Sequence, residues 1–298
     1  MLFDLLKYGF FNGIYIALVS VGFALIFNIL RTIDFSLTDR MTFSGYVFII
    51  SEKYIKGLIS SHLQLPFVEI ISILVGCLLS ILSCIILTLI IEKYIFTPIK
   101  EKGTSILIIT SFGISVIMQS LMSIIFTNST IVSSIQEYSI PGIGLYPREI
   151  LVLSFAVTIM IVLNLIIKKT LFGKSINALV FNYELAIFHK IPVKKISSLV
   201  FGISAFIIAI SGISLSVGFG IYPNIGNKYM IYSFCACLIG GLKNLYGTVI
   251  ASILLGVFLQ FGDCFTSPIV SESLTLIILL VLLYIKPEGL FFEKIRVI

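Results

Sequence analysis

Charge is scarce in this sequence: Asp, Glu, Lys and Arg make up 11% of its 298 residues, against 58% hydrophobic residues. A soluble globular domain carries about 25% charged residues, so the charged shell of a water-soluble enzyme or binding module is excluded. Tryptophan is absent and histidine is limited to His62 and His189. Of the five cysteines, Cys235 and Cys237 have the look of a ligand pair. No further Cys or His lies nearby, and a closed zinc site needs four ligands, so no metal is expected. Nor is there a catalytic triad or a pair of carboxylates in a plausible pocket. Gly173-Lys174-Ser175 lacks the glycine that a phosphate-binding loop requires five residues earlier, where Lys168 stands, so the chain is not expected to bind ATP or any other cofactor. The net charge of +6 is not gathered into a basic stripe with a binding motif, which argues against nucleic acid.

What the sequence has is long apolar runs with short polar joints, at a mean hydropathy of +1.15. A bilayer crossing takes about 20 predominantly apolar residues, which gives an all-α, polytopic transmembrane bundle of about 8 spans, with 7–9 open. One membrane domain over residues 1–298 is expected, embedded in the lipid bilayer. Met1 to Lys7 leads into an apolar run without a small-residue cleavage site, so the first span is expected to stay in the protein. Between Lys168 and Lys195 six lysines face the single Glu184, which places that loop in the cytoplasm, with the C-terminal tail on the same side. The number of crossings, and with it the side of the N-terminus, stays open.

Gly9, Gly13 and Ala17 recur every four residues in the first span, about 9–30, as do Gly212, Ser216 and Gly220 in the sixth, about 197–219. Small side chains on one helical face predict close packing against a neighbour. The third span, about 66–91, is expected to end at Glu92-Lys93 and a loop carrying Pro98. A turn outside the membrane is expected over Tyr222-Pro223-Asn224-Ile225-Gly226. Gly240-Gly241 to Gly247 predicts a tight hairpin joining two spans.

The second span is interrupted by Arg31, Asp34, Asp39 and Arg40, with Ser36 and Thr38 between them. A charge at the bilayer centre costs at least about 2.5–3.5 kcal/mol. Two readings follow. In one, the four charges sit in a solvated loop. In the other, the helix is discontinuous and its exposed backbone lines a path across the membrane. In the lysine-rich loop, Ala178, Leu179, Phe181, Leu185, Ala186 and Phe188 are spaced for a short amphipathic helix stopped by Pro192. Such a helix lies in the headgroup layer or docks on a cytoplasmic partner.

An ordered set of motifs runs through nearly the whole chain: Phe11-Asn12-Gly13, Ile33-Asp34-Phe35, Glu92-Lys93 through Pro98, Ser111-Phe112-Gly113-Ile114-Ser115, Leu171-Phe172-Gly173, Ala178, Ala186, Ile191, Pro223 with Gly226, Gly240-Gly241 to Gly247, and Pro287-Glu288-Gly289-Leu290. In order and spacing it resembles the membrane permeases of branched-chain amino-acid ABC importers. The resemblance implies a non-catalytic subunit in a bacterial plasma membrane. Its implied partners are ABC ATPase subunits, a second homologous permease and an extracytoplasmic solute-binding protein. It also implies a substrate path near Asp34, Ser36, Thr38, Asp39, Gly240, Gly241, Asn244 and Gly247, and ATPase coupling through Gly173, Ala178, Asn182, Ala186, Ile191 and Pro192. The chain departs from the family pattern at Asp34 to Asp39, where a glycine is lost, at Asn182 and Lys190 in the coupling region, and at Lys243 and Tyr246 in the hairpin. These departures bear on the solute, since close relatives handle urea, short amides and other amino acids. A transporter or channel acting alone is the competing class.

Overall fold

The computed structural model describes residues 2–59, 65–133, 147–181, 192–241, 244–265 and 267–286. These form a helical bundle: α1 (Leu2–Leu30), α2 (Leu37–Ile59), α3 (Leu65–Ile91), α4 (Thr104–Phe126), α5 (Pro147–Lys169), α6 (Leu171–Phe181), α7 (Val193–Gly218), α8 (Ile225–Gly240), α9 (Leu245–Phe265) and α10 (Pro268–Ile285). Helices satisfy their backbone hydrogen bonds internally, which is why apolar segments adopt them where water is absent. Among the described residues, Asp4–Ile29, Val68–Ile99, Thr104–Phe126, Val193–Gly218 and Leu245–Phe265 are long and apolar enough to cross a bilayer.

Of these five, α1 and α7 are the most enclosed, with 83% and 67% of their most apolar stretches buried, whereas for α3 and α4 the shares are 22% and 17%. On α3 the exposed side is a stripe at four-residue spacing, Leu74, Leu78, Leu82, Ile86 and Ile90. That face is suited to lipid.

The glycine face of α1 packs on α9. A Cβ at Gly13 would lie 2.6 Å from Ile253 Cα, and one at Gly9 2.8 Å from Val257 Cα. Four residues back on one helix matches four forward on the other, so the pair is antiparallel. The pair α2 and α3 is antiparallel too: Ser80 Oγ donates to Ser44 O at 2.6 Å, and Cys84 Sγ lies 3.8 Å from Arg40 O. Helix α7 crosses both, with Cys84 Sγ 3.6 Å from Ala205 O and Ser44 Oγ 3.4 Å from Ala209 O. On α7, Gly212 faces Met41 O and Ser44 Oγ directly, and Ser216 is buried. Gly220, expected on the same helical face, instead follows the helix at φ +80° and is closed in by Thr130 and Val132.

Two of the joints differ from expectation. The third helix does not end at Glu92. It continues through a π-turn, Glu92–Phe96, and a short run to Lys102, stopping at Gly103 with φ +116°. Glu92 is buried and receives hydroxyl hydrogen bonds instead of water, which removes the reason for a helix end there. The turn expected over 222–226 forms at Pro223-Asn224, with Pro223, Ile225 and Gly226 buried, and Ile221 before it exchanges backbone hydrogen bonds of 2.8 and 2.9 Å with Ile131. The amphipathic helix of the lysine-rich loop starts earlier than its apolar spacing suggests. Thr170 Oγ1 accepts the Gly173 amide at 3.1 Å and so caps α6 at Leu171. The glycine hairpin forms as expected, α8 and α9 being joined through Gly241 at φ +91° and Asn244 Oδ1, which accepts the Gly247 amide at 3.1 Å.

Placing a larger side chain in the α1/α9 seam should separate the two helices. Gly13→Val is expected to cost about 1–3 kcal/mol, read as a lower melting temperature of the detergent-solubilised chain. Gly57→Ala, whose Cβ meets nothing within 4 Å, should hold or raise that temperature.

Candidate functional site

Between α1 and α2 the chain leaves helical geometry for residues 31–36. Arg31 makes the exit, at φ +53°, a conformation seldom taken by a residue with a side chain. Its guanidinium donates to Leu179 O on α6 at 3.3 Å. Asp34 then folds the chain back, its Oδ1 accepting the Ser36 amide at 3.0 Å and the Ser36 hydroxyl at 2.7 Å. Its other oxygen pairs with Arg40 Nη2 in a short contact, while Arg40 Nε donates to Ser36 O at 3.3 Å. Helix α4 pins the outside of the break through Ser111, whose Oγ accepts from Phe35 N at 3.3 Å and donates to Ile33 O at 3.4 Å.

The solvated-loop reading holds only for Arg31, which is exposed. Asp34, Ser36, Thr38, Asp39 and Arg40 are each 2% exposed or less. Their depth follows from their neighbours. Arg40 O meets Cys84, the midpoint of Val68–Ile99, and Cys84 in turn meets Ala205, the midpoint of Val193–Gly218. Asp39 meets Ser115, the midpoint of Thr104–Phe126. If these helices centre on the bilayer, the first turn of α2 sits at its mid-depth.

Two charge systems result. Asp34 and Arg40 neutralise each other. Asp39, one residue earlier on the helix, takes neutral donors among the described residues: Ser115 Oγ to Oδ2 at 2.5 Å and Gln119 Nε2 to Oδ1 at 3.0 Å. Gln119 Nε2 also lies 3.1 Å from Ser115 Oγ and 2.8 Å from Asn227 Oδ1. Its two hydrogens thus face three acceptors, so the network has more than one arrangement. Asn227 Nδ2 donates back to Gln119 Oε1 at 3.2 Å, and Asn227 is exposed. The start of α8 closes on the same carboxylate. A Cβ at Gly226 would stand 2.7 Å from Asp39 Oδ1, a gap that only glycine leaves open. Asn224 makes no side-chain cap, and the start of α8, the positive end of its dipole, stands beside Asp39.

Burial also leaves polar atoms without partners. Among the described residues, Arg40 Nη1 and Thr32 Oγ1 are enclosed without a hydrogen-bond partner, and Thr88 Oγ1 is enclosed with only the Cys84 thiol beside it. The α2/α3 pairing of Ser44 with Ser80 and Arg40 with Cys84, continued one turn, brings Thr88 level with Ser36, where the Arg40 side chain reaches. Such atoms mark a place for water or a polar guest.

The other residues singled out from sequence lie apart. Gly240, Gly241, Asn244 and Gly247 form the α8–α9 turn at the far end of α8, about 21 Å from Gly226 at 1.5 Å per residue. In the lysine-rich region, Gly173 is buried and Ala178 half-buried on α6, and Pro192 precedes α7. Asn182, Ala186, Lys190 and Ile191, with Lys243 of the hairpin, lie outside the described residues. Ser115, Gln119 and Asn227 were not singled out as site residues. Ser111, Ser115 and Gln119, four apart on one face of a mainly apolar helix, were the signal available for two of them.

Residues 5–286 match the family model described as branched-chain amino acid transport system, permease component. The chain is 23% identical to the high-affinity branched-chain amino acid transport system permease protein LivH of Salmonella typhimurium, over 94% of this chain and 93% of that one. It is 22% identical to LivH of Escherichia coli K12 with the same coverage, and 22% identical to the permease protein BraD of Pseudomonas aeruginosa over 92% and 90%. No solved structure is significantly similar.

Removing one member of the buried pair strands the other. Asp34→Ala and Arg40→Ala should each cost about 3–5 kcal/mol, and the double variant less than their sum, in melting of the detergent-solubilised protein. Additive losses would mean that the pair is not coupled.

Proposed function

This chain belongs to the family of branched-chain amino acid transport system permease components, and we propose on that premise that it is the membrane subunit of an ATP-driven importer. It forms one non-catalytic permease domain in a bacterial plasma membrane with its C-terminus in the cytoplasm. Its partners are ABC ATPase subunits, a second homologous permease and an extracytoplasmic solute-binding protein. The names of its relatives make a branched-chain amino acid the first solute to test; urea, short amides and other amino acids are the alternatives. The substrate path runs by Asp34, Ser36, Thr38 and Asp39, with the hairpin from Gly240 to Gly247 farther along it. Coupling to the ATPases falls on the segment from Gly173 to Pro192.

One observation carries this reading: at the mid-depth of its helices, Asp39 is buried and, among the described residues, makes no ion pair of its own. A lone carboxylate there is costly unless something arrives to compensate it. The ammonium group of an amino acid supplies that charge. Gln119 and Asn227 stand at the open side of the carboxylate, where their amides release and re-form hydrogen bonds as the solute passes. The unpartnered donor of Arg40 and the hydroxyls of Thr32 and Thr88 offer polar contacts deeper in. In alternating access, the helix starts that meet at Asp39 and Gly226 part toward one face and then the other.

The test is uptake of leucine, isoleucine and valine by the complete complex in liposomes, with ATP inside. Asp39→Asn should lower uptake at sub-saturating solute about thirtyfold, the equivalent of about 2 kcal/mol for a buried charge contact, while the complex still assembles. Wild-type uptake with unchanged assembly would remove Asp39 from the path. Uptake by the purified chain alone, driven by an ion gradient, would overturn the importer reading in favour of a self-sufficient transporter.

A further inference from the structure

We propose that Glu92, at the π-turn ending α3, is the positioning residue that ties the ATPase-facing segment to the break before α2. The inference rests on the importer reading, and it concerns a cluster about 12 Å along α3 from Cys84, at 1.5 Å per residue, distinct from the Asp39 network. Glu92 is 4% exposed. Its Oε1 accepts Ser197 Oγ at 3.1 Å and Thr97 Oγ1 at 3.3 Å, and its Oε2 accepts Ser198 Oγ at 2.9 Å. Ser197 and Ser198 lie in the first turns of α7, directly after the lysine-rich segment. Both carboxylate oxygens are therefore spent on holding the downstream end of that segment.

The α6 part of that segment is held as well, by Arg31, which opens the break and donates to Leu179 O. The two anchors belong to one electrostatic neighbourhood. Half-buried Lys100 is pushed toward its neutral form chiefly by burial, Glu92 opposes that shift and Arg31 adds to it. A movement of α6 and of the first turns of α7 thus reaches the rest of the bundle at two places, the end of α3 and the start of the break.

The turn that carries Glu92 suits such a joint. A π-turn accommodates an extra residue in the helix, and such turns recur at functional sites. Its conversion to regular helix rotates everything beyond it by roughly one residue, about 100° at 3.6 residues per turn. With Ser197 and Ser198 bound to Glu92, the turn follows α7; without them, α7 moves and α3 stays.

The measurement is the number of solute molecules imported per ATP hydrolysed by the complete complex in liposomes. Glu92→Gln keeps size and one acceptor but presents an amide to one serine donor. It should leave ATP hydrolysis within about twofold and lower the transport ratio about tenfold, within the range of ordinary site-to-site coupling. The double variant Ser197→Ala with Ser198→Ala removes the same contacts from the other side and should do the same, and it serves as the test if Glu92→Gln does not assemble. Glu92→Asp should recover part of the ratio. Wild-type ratios in both variants overturn the proposal, as does a parallel loss of hydrolysis and import, which is what a merely structural role produces. If the wild-type complex itself shows no ATP-dependent import, the importer reading has failed and not this contact.

Discussion

An arginine buried to 1% exposure among apolar helices has to be neutralised where it stands, and Asp34 is brought to Arg40 for that purpose by folding the backbone back on itself. Much of the surrounding structure follows from that pairing. To reach Arg40 from six residues earlier, the chain must leave α1, which it does through the left-handed Arg31, and must turn at Ser36, whose amide and hydroxyl both bond Asp34. The extended stretch exposes its own backbone, and Ser111 on α4 covers the amide of Phe35 and the carbonyl of Ile33. Helix α2 can then begin deep among its neighbours instead of at a water boundary.

Beside this closed pair stands an open one. Asp39 shares the helix turn with Arg40 but, among the described residues, is hydrogen-bonded by a hydroxyl and an amide and makes no ion pair, at a place where two helix beginnings, α2 and α8, approach within the width of a missing Cβ. A self-satisfied pair fixes geometry and gives a solute nothing to bind. An anion held by neutral donors keeps an interaction in reserve. The juxtaposition of the two, one residue apart, lets a single helix start be rigid on its α3 side and receptive on its α4 and α8 side.

The third charge, Glu92, uses the same physics for attachment. Buried carboxylates are tolerated when hydrogen-bond donors replace water at both oxygens, and three hydroxyls serve that role here. Because two of the donors come from α7 and the acceptor from α3, the interaction joins elements that the hydrophobic effect alone would let slide. Apolar packing between helices in lipid is permissive about register, whereas a hydrogen-bonded carboxylate is not.

Composition and periodicity determined the class of this protein, because hydrocarbon admits few polar residues and requires helices: the spans, the glycine seam of Gly9 and Gly13, and the hairpin at Gly240 are visible as patterns along the chain. The charged break at 31–40 was legible as an anomaly for the same reason. What the sequence did not contain was how the break is satisfied. Asp34 with Arg40 is a local pair, but Asp39 finds Ser115, Gln119 and the start of α8, 76 to about 190 residues away. Glu92 read as the end of a helix because glutamate ordinarily wants water; only the arrival of Ser197 and Ser198, 105 and 106 residues later, makes it an interior residue. The turn at 222–226 was legible from its proline and glycine, but that Gly226 is also a point of contact with Asp39 was not. A linear pattern records which residues avoid lipid, and the folded chain decides which of them meet.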